Sequence, residues 1–156
     1  MRTETQTEQT SRIAASPREV LLAWENAYNQ RDPFALIELY ADDAENLQVA
    51  FGNTPLLGRE ALLESFIAFF RAFPDNRTNI ENLFVDGEWA IVEWNGGGTF
   101  TGNLGDAEPT GKSFELRGCG FFRVLNGKIQ FQRGYFDRHT WFSQIGLPIE
   151  NEQSQV

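Results

Sequence analysis

The chain has 156 residues, 41% of them hydrophobic and 13% aromatic, which fits one globular domain with a sizeable core. Its net charge of −9 opposes the basic surface that a nucleic acid or an anionic membrane requires, so we expect neither as a partner. The single cysteine, Cys119, cannot form an intrachain disulfide or a multi-cysteine metal site. No run approaches the roughly 18 apolar residues of a membrane span, and we expect a cytoplasmic protein.

The first half of the chain carries helix signals. Residues 1–15 are rich in Thr, Gln and Glu, and we expect a disordered N-terminal tail there. Ser16-Pro17-Arg18-Glu19 is a capping box, Asp32-Pro33 repeats the cap-then-proline signal, and Gly58 precedes a segment that is apolar on nearly all sides. Three helices are therefore predicted, over residues 17–31, 33–41 and 59–73.

The rest of the chain favours β-strands joined by tight turns. Asp86-Gly87 and Asn126-Gly127 each lie between apolar runs, which predicts two hairpins. Strands are predicted over residues 47–51, 78–85, 88–101, 112–125 and 128–137, with a short helix over 138–145 after them. We predict one α+β domain over residues 16–148, in which three N-terminal helices pack on one face of a mostly antiparallel sheet. Residues 149–156 are expected to be a flexible C-terminal tail.

Several kinds of site are excluded by their motifs. The sequence has no HExxH, CxxC or EF-hand pattern and no serine-hydrolase elbow, so we predict no metal site. The glycine-rich segment Asn95–Gly105 lacks the GK[ST] ending of a phosphate loop, and a sharply bent strand is the favoured interpretation. General acid/base chemistry in an apolar pocket is what remains.

The last predicted strand carries the polar residues for such a pocket. Strict alternation along Lys128–Asp137 puts Arg133, Tyr135 and Asp137 on one face, together with apolar side chains. A cation, a phenol and a carboxylate would then line one groove, with Asp137 about 13 Å from Arg133 along the strand. The sequence therefore predicts these three residues as part of a substrate site.

Two residues at the end of that strand have an alternative explanation. Aspartate is a preferred N-cap residue, and from spacing alone a cap for the last helix is the favoured interpretation of Asp137. His139, the only histidine, lies two residues past the strand and is expected at the surface. If it faced the pocket instead, its imidazole would be a weaker second candidate for a proton carrier.

The 14 Phe, 4 Trp and 3 Tyr either enlarge the core or wall a cavity, and composition leaves both possibilities open. Trp24, Tyr28 and Tyr40 are explained by core packing, with a cavity wall that offers N–H or O–H groups to a ligand carbonyl as the alternative. Phe70 of the third helix and Arg117 of the longest strand complete the predicted substrate pocket. A salt bridge to an acidic neighbour explains Arg117 equally well.

Short motifs in a recurring order and spacing connect the chain with a known family. They are Tyr40-Ala41-Asp42-Asp43-Ala44, Gly58-Arg59-Glu60-Ala61-Leu62, Phe73-Pro74-Asp75, Asp86-Gly87-Glu88, Gly98-Thr99-Phe100-Thr101-Gly102, Pro109-Thr110-Gly111-Lys112, Phe122-Arg123-Val124, Asn126-Gly127-Lys128-Ile129 and Tyr135-Phe136-Asp137. From residue 17 to 148 the chain resembles the SnoaL-like polyketide cyclases, within the superfamily named for nuclear transport factor two and shared by ketosteroid isomerase. The resemblance implies a cone-shaped, cystatin-like α+β barrel around an apolar small-molecule pocket, a homodimer, and no metal or organic cofactor.

The resemblance also implies a role for Asp137. In the cyclases the aspartate that ends the last strand is the acid/base of an intramolecular aldol closure, and by position that residue is Asp137. The cyclases pair it with a histidine from a neighbouring strand, whereas the longest strand here carries none. The expected function is a cofactor-independent cyclase or isomerase, and the alternative is a ligand-binding or dimeric scaffold domain without catalysis.

Steroid isomerase activity is not expected. By the same resemblance, the isomerase's tyrosine donor falls near Trp24, its base near Gln48 or Val49, and its second oxyanion donor near Cys119 or Gly120. None of these residues carries the group that the isomerase uses.

Overall fold

The computed structural model describes residues 13–48 and 54–149. The expected tails, 1–15 and 149–156, therefore lie almost entirely outside the described residues. The helices are α1 (Pro17–Asn29), α2 (Pro33–Ile37), α3 (Arg59–Ala72) and α4 (Arg138–Ile145), and the strands are β1 (Tyr40–Gln48), β2 (Leu56–Leu57), β3 (Arg77–Asp86), β4 (Trp89–Thr99), β5 (Ser113–Leu125) and β6 (Lys128–Phe136). None of the helices in these ranges is long and apolar enough to cross a bilayer.

The strands form one six-stranded sheet in the order β2-β1-β6-β5-β4-β3. All neighbouring strands are antiparallel except β1 and β6, which run parallel. Helices α1 and α3 cover one face of this sheet, and the aromatic and aliphatic side chains between the two layers form the main core. A second apolar cluster joins the end of α3 to β5 and α4. The predicted α+β class is confirmed.

The turn and cap chemistry read from the sequence produces the local structure. Ser16 Oγ accepts a hydrogen bond from the Glu19 backbone N–H at 3.2 Å, which starts α1 as the capping box predicts. The Asp32 carboxylate accepts from the first N–H groups of α2 in the same way. At the last hairpin, Asn126 and Gly127 have φ values of 50° and 74°, which is the turn geometry that an Asn-Gly pair adopts most easily.

The second predicted helix was too long. It ends at Ile37, and Tyr40 already begins strand β1, which pairs in parallel with β6. The Ile129 backbone N–H donates to the Leu39 carbonyl at 2.7 Å, so the chain is captured by the sheet edge before the helix can continue. The strand predicted over 47–51 consequently starts earlier, and residues 49–51 lie outside the described part of the chain.

A β-bulge in strand β6 decides which side chains face the helices. Arg123 is paired with Phe131 but its neighbour Val124 with Ile129, so Gln130 is an extra residue on β6. The alternation therefore shifts at this point, and Ile129 and Gln132 both face the core, with exposed fractions of 0% and 8%. The prediction from strict alternation misses this shift.

Candidate functional site

A cavity of about 330 Å³ lies between the sheet and helices α1 and α3. Its walls are largely aromatic and come from helices and strands alike, including Trp24, Tyr28, Phe69, Trp94, Phe114 and Phe136. Neutral polar side chains complete the lining, among them Asn46, Gln48, Ser65, Asn76, Thr78 and Gln132. A volume and composition of this kind suit a small, mainly apolar ligand held by a few hydrogen bonds.

A buried chain of hydrogen bonds fixes the orientation of one cavity amide. Trp24 Nε1 donates to the Tyr40 hydroxyl at 3.1 Å, and that hydroxyl donates to Gln132 Oε1 at 2.5 Å. The direction is forced, because an indole N–H can only donate, so the Tyr40 oxygen accepts and its own proton must go onward. The Gln132 oxygen is thereby occupied, and the group that Gln132 offers to the cavity is its NH₂.

A second amide stands beside the first. Asn46 on β1 is paired directly with Gln132 on β6, and both side chains line the cavity. Gln48 Nε2 donates to Asn46 Oδ1 at 2.7 Å, so Asn46 also presents its NH₂ rather than its oxygen. Two neutral N–H donors on adjacent strands therefore belong to the same wall of the cavity, an arrangement that suits a carbonyl oxygen on which negative charge develops during a reaction.

Few lining residues can change charge. Among the lining residues that the structure describes, only Tyr28, Arg77 and Cys119 are ionisable, and none is Asp, Glu or His. Burial raises the pKa of Tyr28 and of Tyr40 above the ordinary value, so both phenols stay protonated at neutral pH. Within residues 13–48 and 54–149, no three His, Cys, Asp or Glu side chains come together as a metal site would require.

The structure places Asp137 at the N-cap of α4. One carboxylate oxygen accepts from the Thr140 backbone N–H at 3.0 Å and the other from the Thr140 hydroxyl at 2.7 Å. The hydroxyl hydrogen bond, followed by the backbone one, holds the pKa of Asp137 below its ordinary value. Asp137 and His139 are both exposed, and neither lines the cavity. The arrangement matches the capping interpretation of Asp137.

The other predicted site residues separate into two groups. Trp24 and Tyr28 line the cavity. Tyr40 does not line it but donates a hydrogen bond to the lining residue Gln132. Phe70 packs in the core against Tyr28, with ring centres 5.1 Å apart. Arg133 and Tyr135 lie on the opposite face of the sheet because of the bulge at Gln130. Arg117 is exposed and forms an ion pair with Glu81, with 3.3 Å between nitrogen and oxygen. These three side chains lie outside the cavity.

Two amides that line the cavity are absent from the site residues predicted from the sequence. Gln132 lies on the strand face that carries no ionisable side chain, and Asn46 immediately precedes the predicted strand over residues 47–51. The available signal was the occurrence of a polar amide among apolar neighbours at positions that alternate with exposed residues. Without knowledge of the bulge, that signal is too weak to choose a face.

The capping role of Asp137 can be tested with two variants. Asn is as good an N-cap as Asp, so Asp137→Asn should unfold at nearly the temperature of wild type, whereas Asp137→Ala should unfold a few degrees lower. Because the pKa of Asp137 is lowered in the folded state, its contribution is present above the ordinary value of 3.8 and is lost as the pH falls through the folded pKa. Thermal scans from pH 7 to below pH 3 should therefore show the difference between wild type and Asp137→Ala shrink at the acid end, while the difference between Asp137→Asn and Asp137→Ala stays constant. Equal melting temperatures of Asp137→Ala and wild type at pH 7 would contradict the cap.

Comparison with known proteins connects this geometry with one family. The family model for SnoaL-like polyketide cyclases matches residues 18–145. A structure from Jannaschia described as a SnoaL-like polyketide cyclase has 19% identity and a TM-score of 0.77, covering 89% of this chain and 97% of its own. IdmH from Streptomyces antibioticus, described as a polyketide cyclase, has 24% identity and a TM-score of 0.71, covering 85% and 100%. A Catenulispora acidiphila protein with a ketosteroid isomerase-like fold, solved with trimethylamine, has 22% identity and a TM-score of 0.71, covering 86% and 96%. At these identities the structural likeness concerns the fold alone, and it confirms the cone-shaped α+β barrel.

Proposed function

Because the chain belongs to the SnoaL-like polyketide cyclase family, we propose that it binds a largely apolar, carbonyl-bearing small molecule in the cavity and promotes its ring closure. The observation that carries the proposal is the pair of N–H donors, on Asn46 and Gln132, in the wall of an otherwise aromatic cavity. Aromatic walls favour a flat or partly unsaturated ligand, and the donors favour one that bears a carbonyl oxygen at that wall.

The chemical step in this proposal is an intramolecular aldol addition. The carbon between two carbonyls loses its proton to water, since no described lining residue is a carboxylate or an imidazole. The resulting enolate carbon attacks a second carbonyl carbon of the same molecule, a carbon–carbon bond forms, and the π electrons move onto the carbonyl oxygen. That oxygen gathers negative charge next to the NH₂ groups of Gln132 and Asn46, and it then takes a proton from water.

Positioning supplies the second contribution. A flexible ligand with several carbonyls must lose conformational freedom before its ends can react. A shaped cavity offsets this entropic cost when it binds the ligand in the conformation that precedes ring closure. Trp24 and Tyr40 contribute indirectly, because their hydrogen bonds hold the Gln132 amide in one orientation. They are positioning residues in this proposal.

A non-catalytic binding protein is the second candidate function. The observation that favours it is the lack of Asp, Glu and His among the described lining residues, because acid/base catalysis by a side chain then has no obvious agent. In that case the same cavity and the same donors would hold a ligand without converting it. Mass spectrometry of whatever co-purifies with the protein, compared before and after incubation, distinguishes a bound ligand from a product.

A substitution pair tests the assignment. Gln132→Met keeps the length of the side chain but removes its NH₂, and it should lower kcat for β-dicarbonyl polyketide-like substrates by about 100-fold, the loss typical of a missing oxyanion donor. Gln130→Met makes the same change at a residue whose Nε2 instead contacts Asp43 at 2.9 Å, so its turnover should match wild type. Melting curves of both variants show whether folding is retained.

The cyclase assignment has a clear contrary result. Activity that survives in Gln132→Met but disappears in Asp137→Asn would return the acid/base role to the aspartate that the family resemblance indicates. No turnover of any β-dicarbonyl substrate by wild type, together with binding of the same compounds, would favour the binding protein.

We also propose that a second copy of the chain covers the outer face of the sheet. There the Arg133 guanidinium lies 5.6–5.9 Å from the ring centres of Phe121, Phe131 and Tyr135, and its Nε is buried without a partner among the described residues. Glu45 is paired with Phe131 on the same face, so a two-fold symmetric contact could bring the carboxylate of each copy to the other's arginine. Sedimentation at micromolar concentration should show a dimer that Arg133→Glu dissociates, and a monomeric wild type would contradict this.

A further inference from the structure

Two unpartnered N–H groups occur in another part of the cavity lining. Asn76 Nδ2 and Trp141 Nε1 are both buried, and neither has a hydrogen-bond partner in the part of the chain that the structure describes. Both side chains line the same cavity as Asn46 and Gln132. We propose that Asn76 and Trp141 form a second donor site, which binds another carbonyl oxygen of the same ligand. The inference rests on the proposed function and specifies its substrate class.

Both donor residues are in contact with Phe73. The Trp141 ring centre lies 5.8 Å from that of Phe73, and the Asn76 backbone N–H donates to the Phe73 carbonyl at 3.0 Å. The Asn76 carbonyl also accepts from Arg31 at 3.1 Å, which fixes the backbone of the loop after α3. Asn76 is only 2% exposed, so bulk water does not serve its amide.

An unmet buried donor is costly. Leaving a buried N–H without an acceptor is destabilising, and native proteins rarely leave such groups without an occupant that supplies acceptors. Both donors are neutral, and the nearby cation, Arg77, is paired with Glu115 at 2.7 Å and 59% exposed. A neutral carbonyl therefore fits this site better than a carboxylate, which would require a charge to balance it.

The two donor sites lie in different parts of the fold. Tyr40 and Trp24, which orient Gln132, belong to the main core cluster, whereas Phe73 packs with Trp141 in the second cluster beside α4. Aromatic side chains line the space between them. The substrate class that meets both sites is an elongated, flat molecule with ketone-type oxygens at both ends and an apolar middle.

Three isosteric probes separate the sites by measurement of Kd. They are 2,6-diethylnaphthalene, 2-acetyl-6-ethylnaphthalene and 2,6-diacetylnaphthalene, which carry zero, one and two carbonyl oxygens. Each added carbonyl should tighten binding to wild type about 3- to 10-fold, the range expected of one net hydrogen bond. Trp141→Phe and Asn76→Leu should abolish the gain from the second carbonyl and retain the gain from the first. In Gln132→Met only the second donor site remains. The acetyl-ethyl probe should then still bind more tightly than the diethyl probe, whereas the diacetyl probe should bind no more tightly than the acetyl-ethyl probe.

A control and the contrary results complete the experiment. Trp89→Phe makes the same change as Trp141→Phe at a tryptophan that does not line the cavity and packs against Phe131 with ring centres 6.0 Å apart, so both gains should persist in it. The second donor site is overturned if wild type binds the diacetyl probe no tighter than the acetyl-ethyl probe, or if Trp141→Phe keeps the second gain. The proposed function is contradicted as well if the acetyl-ethyl probe binds wild type no tighter than the diethyl probe. Should Asn76→Leu fail to fold, as its melting curve would show, the comparison of Trp141→Phe with Trp89→Phe decides between the two outcomes.

Discussion

Tyr40→Phe is expected to lower the free energy of unfolding by about 1–3 kcal/mol although it removes a single oxygen atom. The hydroxyl is fully buried between Trp24 Nε1, from which it accepts, and Gln132 Oε1, to which it donates. Its removal leaves the Trp24 indole N–H and the Gln132 amide oxygen buried without hydrogen-bond partners. Because both groups are buried on folding, water does not replace the lost hydrogen bonds. Urea unfolding of wild type and variant measures the difference directly.

The same variant should also affect the cavity. Without the Tyr40 proton, the Gln132 amide loses the contact that keeps its oxygen away from the ligand, and it can rotate so that an oxygen faces the developing charge. We therefore expect kcat to fall in Tyr40→Phe even under conditions where the protein is fully folded. Substrate affinity should fall less, because the aromatic walls that provide most of the contact area remain in place.

A matched control exists on the other face of the sheet. Tyr135 is 40% exposed, and Tyr135→Phe retains the ring that packs on Phe121. That change should alter the free energy of unfolding by no more than about 0.5 kcal/mol, because the ring and its packing are retained. Equal effects of Tyr40→Phe and Tyr135→Phe would show that the buried chain from Trp24 to Gln132 contributes nothing measurable, and the forced orientation of the amide would then lose its basis.

The parts of the fold that the sequence predicts are those with local causes. The start of α1 depends on Ser16 and Glu19 alone, and the last hairpin depends on Asn126-Gly127 alone, so both could be read without any knowledge of the rest of the chain. Helix α4 was placed at its observed bounds because Asp137 and Gly146 mark its two ends.

The parts that could not be predicted have causes distant in sequence. Residues after Ile37 have helical spacing, and only the parallel pairing of β1 with β6, some ninety residues later, makes them a strand. The bulge at Gln130 leaves no mark in composition, yet it exchanges the two faces of the strand beyond it. The candidate site inherits both errors, since Asn46 belongs to β1 and Gln132 follows the bulge.

Gly118→Ala, next to the cavity-lining residue Cys119 on β5, is expected to destabilise the protein although it adds a single methyl group. A Cβ at this position of β5 would lie 2.5 Å from Trp94 Cζ2 and 2.6 Å from the Tyr135 backbone oxygen. Neither neighbour can move freely, because Tyr135 belongs to the adjacent strand and Trp94 lines the cavity and packs against the main core. Overpacking of this kind typically costs about 1–3 kcal/mol, which urea unfolding would detect.

Two further variants show which of the two clashes matters. Gly120→Ala, two residues along the same strand, brings its Cβ to 3.0 Å from Phe122 Cε2 and 3.6 Å from the Arg133 backbone oxygen, so its cost should be smaller. Combining Gly118→Ala with Trp94→Leu removes the side-chain clash and leaves the backbone one. If the double variant costs no more than Trp94→Leu alone, then Gly118 is present to let Trp94 lie flat against the sheet, and the volume of the cavity depends on that glycine. If the cost of Gly118→Ala is unchanged in the Trp94→Leu background, the glycine instead serves the close approach of β5 and β6.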